Sequence, residues 1–151
     1  MLEEMTRERL TEDLLTRLLE SDTSESYLAQ NEMVECTLKD YLNELLDARG
    51  LNRCQLARKA CVTSSHLYEF FSGAGGVGRD NALKVAFALG CDLAQTQRLL
   101  RLAGVSVLWP KEARDAIIIW CIEHGYTREE CDDELYRLGE PGILKVTGDL
   151  R

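Results

Sequence analysis

The chain has 151 residues with a formal net charge of −8, and 45% of its residues are hydrophobic. This length fits one domain, or one domain with an extension, and the apolar content excludes disorder of the whole chain. No apolar run approaches the ~18 residues that a membrane-spanning helix needs. The first twenty residues are acidic and lack the apolar core of a secretory leader, so we expect a cytoplasmic protein without a membrane partner. The net charge by itself disfavours a nucleic-acid partner.

Helix signals dominate the first third of the chain. Thr11 and the acids after it predict the start of an amphipathic helix, and the segment Asp22-Thr23-Ser24-Glu25 predicts the start of a second short helix. Thr37 and Asp40 have the spacing of a capping box and predict a longer helix that ends at Gly50. The predicted inward face of this longer helix consists of Leu38, Leu42, Leu45 and Leu46.

Two short helices are predicted next, over residues 53–60 and 64–71, followed by a glycine-rich loop from Ser72 to Gly78. Asp80 then predicts the start of a helix that runs to Gly90, and Asp92 that of a helix that runs to Gly104. Each of these helices places apolar residues at the spacing of one buried face.

The C-terminal third predicts a helical hairpin over residues 105–139. Pro110 is expected as the first residue of a helix that ends at Gly125 and is apolar on nearly every face. Such a helix lies either in the core or in an oligomer interface. Thr127 begins the second helix of the hairpin, which ends at Gly139, and residues 140–151 are expected to form a tail.

An internal repeat relates this hairpin to the two helices before it, at an offset of 35 residues. Arg79-Asp80 aligns with Arg114-Asp115, and identical glycines and a leucine align further along. Only 5 of 26 aligned residues are identical. Duplication is one explanation; convergence is the other, because Asp starts and Gly ends suit any helical hairpin.

Residues 50–73 have the pattern of a helix-turn-helix. Asn52 and Thr63 are predicted caps of the two short helices, and the three residues from Cys61 form the turn. The positions expected to face inward are Leu56, Ala57, Val62, Leu67 and Phe70. With the helices around it, the segment from residue 37 to residue 104 resembles the lambda repressor/Cro-like helix-turn-helix family. The matching motifs are Gly50-Leu51-Asn52, Gln55-Leu56-Ala57, Val62-Thr63, Leu67, Phe70 and Ser72-Gly73.

The resemblance implies an all-α fold: a lambda-repressor-like domain over 37–104, with a helical N-terminal extension over 1–36 and the hairpin behind it. It also implies a bacterial transcriptional regulator that binds double-stranded DNA as a homodimer, with the second short helix in the major groove. Serine hydroxyls can bond base edges, and arginines can bind phosphates. The implied DNA-binding residues are Arg53, Ser64, Ser65, His66, Tyr68, Glu69 and Arg79. Two departures from the family pattern are Cys61 at the usual turn glycine and the negative charge of Glu69.

The net charge of −8 is distributed unevenly along the chain. Residues 1–36 carry a net charge of −7, residues 37–104 carry +3, and residues 105–151 carry −4. Residues 49–79 hold five basic residues against one acid, so positive charge is concentrated where phosphate contacts are expected. A net charge of −8 therefore does not exclude DNA.

Other function classes have weaker support. A protein-interaction module, antitoxin-like or adaptor, remains the alternative, with the acidic flanks binding a basic partner. The six cysteines form no C-x-x-C pair, so we expect reduced core thiols rather than a metal site. Gly73-x-Gly75-x-x-Gly78 matches the dinucleotide-binding pattern by letter but follows a helix instead of a strand, so no cofactor is expected. The sequence contains no catalytic constellation, and we expect no enzyme.

Overall fold

A computed structural model of the chain describes residues 12–31, 37–72 and 78–144. Throughout these ranges the regular structure is helical and contains no strand, which confirms the all-α fold class. The chain divides into two compact units, residues 1–36 and residues 37–151. Within the described ranges, no helix has the length and apolar character that crossing a membrane requires.

The first unit contains two described helices. Helix α1 covers residues 12–20, and α2 covers Ser24–Gln30. Thr23 caps α2, since its side-chain oxygen accepts a hydrogen bond from the backbone N–H of Ser26 at 3.1 Å. Both predicted helices are confirmed, while the predicted cap Thr11 lies outside the described residues.

The second unit contains seven further helices within its described residues. Their bounds are α3 (Leu38–Arg49), α4 (Arg53–Ala60), α5 (Ser64–Ser72), α6 (Arg79–Ala88), α7 (Leu93–Leu102), α8 (Ala113–Glu123) and α9 (Arg128–Arg137). Side-chain oxygens cap α3, α4, α7 and α9 at the predicted residues, which are Thr37, Asn52, Asp92 and Thr127. Local capping chemistry therefore fixes where most of these helices begin.

The core forms where α3, α4, α5, α6 and α7 meet. Helix α4 packs on α6, and α3 packs on α5 and α7. The predicted inward leucines of α3 are buried, and so are Leu56, Leu67 and Phe70, whereas Ala57 and Val62 are half-buried. Burial of these side chains at about 1.5–3 kcal/mol each is the main stabilising contribution.

Several predicted boundaries are wrong. Pro110 does not begin α8, which starts three residues later at Ala113. The N–H of Glu112 donates to the carbonyl oxygen of Trp109, so Pro110 occupies the second position of a turn, where its fixed φ is equally suitable. Helix α6 starts at Arg79 rather than at Asp80, and Ser72 belongs to α5 instead of the loop.

Helix α8 is not central to the core. Asp115, Ile118 and Cys121 are its buried residues, whereas Trp120 is exposed. Burial inside the monomer is therefore wrong for the Trp120 face of α8, and the expectation of an oligomer interface stays a prediction. The first residues of the expected tail are also packed, because Ile143 is fully buried.

The repeat of 35 residues continues into tertiary contacts that a helical hairpin does not require. Arg79 donates from Nε and Nη2 to the carbonyl oxygens of residues 106 and 107, at 2.9 and 3.0 Å. Arg114 donates from the same two atoms to the carbonyl oxygens of residues 141 and 142, at 2.9 and 3.1 Å. Residues 141 and 142 lie 35 positions after residues 106 and 107. The first copy of the repeat thus consists of α6, α7 and the residues that follow them in sequence. The second copy consists of α8, α9 and the residues that follow them.

A second pair of contacts repeats in the same way. The side-chain oxygen of Gln97 accepts from the N–H of Leu108 at 2.7 Å, and Oδ1 of Asp132 accepts from the N–H of Ile143 at 2.6 Å. Leu108 and Ile143 are both buried. Since neither contact follows from helix capping, their repetition favours duplication over convergence.

Reciprocal ion pairs join the two copies. Arg79 of the first copy pairs with Asp115 of the second at 2.7 Å, and Arg114 of the second pairs with Asp80 of the first at 3.0 Å. In agreement with this exchange, α6 contacts α9 and α7 contacts α8. The copies therefore close on each other with an approximate twofold relation, as two copies of an isologous dimer do.

The two ion pairs differ in burial. The side chain of Asp115 is 7% exposed, while that of Asp80 is 28% exposed. Burial favours a higher pKa for Asp115, but hydrogen bonds from Arg79 and from the N–H of Trp109 outweigh it, so its pKa lies below the ordinary 3.8. Asp115 is therefore a buried carboxylate that depends on Arg79 for its charge compensation.

Arg79→Ala should destabilise the protein more than the equivalent Arg114→Ala. Loss of Arg79 leaves a buried charge with one backbone N–H, at a cost of about 3 kcal/mol. Loss of Arg114 leaves a better-hydrated Asp80, and we expect a cost of about 1 kcal/mol. Urea unfolding of both variants measures this difference, with Arg137→Ala, which removes a side chain that is 65% exposed, as a near-neutral control. Equal losses for Arg79→Ala and Arg114→Ala would contradict the assigned role of burial.

Candidate nucleic-acid interface

The turn between α4 and α5 is built from three residues with defined backbone bonds. Cys61 adopts a left-handed conformation with φ of 56°, and its N–H donates to the carbonyl oxygen of Arg58. The N–H of Val62 donates to the carbonyl oxygen of Ala57 at 3.2 Å. The side-chain oxygen of Thr63 accepts from the N–H of His66 at 3.1 Å, which caps α5 as predicted. Two short helices are thus joined by a tight turn.

Helix α5 has two chemically different faces. Leu67, Phe70 and Phe71 are buried. On the other side, Tyr68 is 69% exposed, and Ser65 is exposed beside it. The predicted residues Ser64 and His66 are exposed as well, and Glu69 is half-buried. The structure therefore exposes four of the five predicted residues of α5 at its surface, whereas Glu69 is partly covered.

Arg53 is exposed and lies at the start of α4. Its guanidinium carbon is 3.9 Å from the ring centre of Phe71, near the end of α5. A cation–π contact of this kind restrains the guanidinium plane and allows its N–H groups to point outward. Arg53 is consequently a pre-oriented cation near the C-terminal end of α5.

The guanidinium of Arg79, a predicted phosphate contact, instead makes hydrogen bonds within the protein. Its Nε, Nη1 and Nη2 atoms donate to two carbonyl oxygens and to both carboxylate oxygens of Asp115. Four of the five N–H bonds of a guanidinium are thereby occupied. The hydrogen bond to Asp115 also raises the pKa of Arg79 above its usual value. Its geometry supports a structural role in place of phosphate binding.

The guanidinium of Arg49 also donates hydrogen bonds within the protein. It donates from Nε to the carbonyl oxygen of Leu89 at 2.8 Å and from Nη2 to Gln95 at 3.2 Å. Of the five basic residues between 49 and 79, this leaves the exposed Arg53, Arg58 and Lys59 as candidates for phosphate. The motif residues do not single out Arg58 and Lys59. Arg58, two residues after the buried Leu56 on α4, could have been found from the helical period, which places these two side chains on opposite faces. Lys59 lies three residues after Leu56, so its exposure is shown by the structure alone.

Of the five cysteines within the described residues, three are buried core residues and two are exposed, while Cys36 lies outside those residues. Cys91, Cys121 and Cys131 are buried, and burial raises the pKa of Cys91 to about 12. Cys54 and Cys61 are exposed on the helix-turn-helix. Within the described part of the chain, no three His, Cys, Asp or Glu residues are grouped as a metal ion would require.

Comparison with known proteins identified no similar protein. No protein-family model, curated protein or solved structure matches the chain. The resemblance to the lambda repressor/Cro-like family therefore rests on the motif residues, and it stays a prediction.

Cys61→Gly should preserve or raise stability, because glycine adopts the left-handed conformation without steric cost. We expect a change between zero and about 1 kcal/mol in favour of folding. Cys54→Gly is the matched control, because it removes the same exposed side chain from within α4 and should destabilise the protein by roughly 0.3 kcal/mol. The midpoints of urea unfolding report both changes. A clear destabilisation by Cys61→Gly would show that the left-handed turn is not formed in solution.

Proposed function

We propose that the chain binds double-stranded DNA sequence-specifically, with α5 in the major groove, and that it acts as a transcriptional regulator. Binding by a homodimer forms part of the proposal, because one short helix reads only a few base pairs. Action in the bacterial cytoplasm follows from that role.

The observation that carries this proposal is the outward face of α5. A tyrosine that is 69% exposed, flanked by exposed serines, does not contribute to the core that the described residues form. Hydroxyl groups can donate to or accept from base edges, and the tyrosine ring can contact the methyl group of thymine. Glu69 can accept a hydrogen bond from the amino group of cytosine, so its negative charge is compatible with base recognition.

Phosphate binding would come from the exposed basic residues of α4. Arg53 lies beside α5, and Arg58 and Lys59 are exposed on α4. Such cations supply affinity without sequence information and make binding sensitive to salt. Three neutralised phosphates per protomer would give about six per dimer, so the logarithm of the binding constant should fall steeply with the logarithm of salt concentration, with a slope near −5.

Selection of bound sequences from random duplex DNA tests the proposal directly, and the selected duplex then serves for titration with variants. Arg53→Ala should weaken binding to selected and unselected duplexes alike and make the salt slope shallower by about 1 for each phosphate that is no longer neutralised. Ser65→Ala and Tyr68→Ala should weaken binding to the selected duplex more than binding to unselected DNA. Arg101→Ala, which removes an exposed arginine from the end of α7, is the matched control and should leave binding unchanged.

The outcomes separate the two function classes. If no duplex is enriched and low salt yields no binding, the DNA proposal fails and the protein-interaction alternative gains. If DNA binds but Arg53→Ala and Arg101→Ala behave alike, DNA is bound elsewhere on the chain and α5 is not the reading helix.

A further inference from the structure

The second copy of the repeat exposes a helix face whose equivalent in the first copy is buried. In α6, Ala82 and Val85 are fully buried, and α4 packs on this helix. The equivalent positions of α8, 35 residues later, are Ile117 and Trp120. Ile117 is half-buried and Trp120 is 45% exposed. The second copy thus contains an equivalent of the helix that receives α4, but no equivalent of α4.

The side chains along this face of α8 increase in size from its N-terminal end to its C-terminal end. Ala113, Ala116, Ile117 and Trp120 follow the i, i+3, i+4, i+7 spacing of one helical stripe. The N-terminal half of the stripe is small, and the C-terminal half is large. The Trp120 ring is also held in place, because it stacks on His124 with ring centres 4.0 Å apart. A pre-oriented aromatic side chain loses little conformational entropy on binding.

We propose that this α8 face binds the same face of a second copy of the chain, with the two helices antiparallel. A twofold axis near Ile117 then places Trp120 of each protomer over Ala113 and Ala116 of the other. Large residues thereby meet small ones at both ends, as close packing of two helices requires.

Charge supports the same arrangement. Glu123 ends α8, where the helix dipole disfavours an acid. Antiparallel pairing moves Glu123 next to the N-terminus of the partner helix, where the dipole favours an acid. That end also carries the exposed Lys111 and Glu112, whose charges cancel, so the dipole decides the sign of the interaction. Parallel pairing would instead bring the two Glu123 side chains together.

The dimer of the proposed function would use this face, but association through α8 does not require DNA. It is therefore measured without DNA, by sedimentation equilibrium of the full chain across micromolar concentrations. Wild type should dimerise, and Trp120→Glu should raise the dissociation constant about 30-fold or more, as loss of an interface anchor does. Trp109→Glu is the matched control, because Trp109 is 55% exposed and lies outside α8, and it should leave the dissociation constant unchanged.

Ala113→Glu provides a second disruption that leaves the monomer intact, because Ala113 is exposed at the first position of α8, where the helix dipole favours an acid. It should weaken the dimer even if Trp120→Glu alters the fold, which circular dichroism would reveal, because it brings a second acid next to Glu123 of the other protomer. A monomeric wild type would overturn the proposal. So would a dimer that survives Ala113→Glu, or one that Trp109→Glu weakens as much as Trp120→Glu.

Discussion

The reciprocal ion pairs between the two copies of the repeat, Arg79–Asp115 and Arg114–Asp80, are the constraint on which the second unit depends. Asp115 is buried and holds the first residue of α6 through Arg79, and α6 in turn receives α4. Helix α4 leads through a three-residue turn to α5, whose outward face carries the proposed base contacts. A carboxylate in the C-terminal copy therefore helps to position the candidate DNA interface, although it lies outside the helix-turn-helix itself.

The repeat accounts both for the contacts that hold the C-terminal copy and for the face that this copy leaves exposed. Each arginine donates to the carbonyl oxygens behind its own hairpin and pairs with the aspartate of the other copy, so both pairs are complete within two copies. A third copy would find no free arginine or aspartate to pair with. The second copy has an apolar face on α8, and the repeat contains no equivalent of α4 to cover it. Association of two chains through α8 would cover that face and supply the symmetry that half-site recognition uses.

Local features can be predicted from the sequence, and long-range ones cannot. Caps such as Asn52 and Thr127, and the bounds of α4, follow from residues within one turn of each helix. The predicted start of α8 is wrong because Pro110 lies in a turn closed by a bond from the Glu112 N–H to the Trp109 carbonyl oxygen, and the fixed φ of proline suits such a turn as well as a helix start. The sequence favours a phosphate contact for Arg79 because its partner lies 36 residues away, although the aligned Arg-Asp pairs of the repeat are visible. The serines and Tyr68 of α5 are exposed as the motif predicts, while their contact with DNA stays a prediction.

Hydrogen exchange under native conditions tests most directly whether the two copies form one cooperative body. The amide of Leu108 donates to Gln97 in the first copy, and the amide of Ile143 donates to Asp132 in the second. If the reciprocal ion pairs join the copies, both amides exchange with the same free energy of opening, and Arg79→Ala lowers both values together. Fast exchange at Ile143 beside a protected Leu108 would show that the second copy opens alone, which contradicts a closed pair.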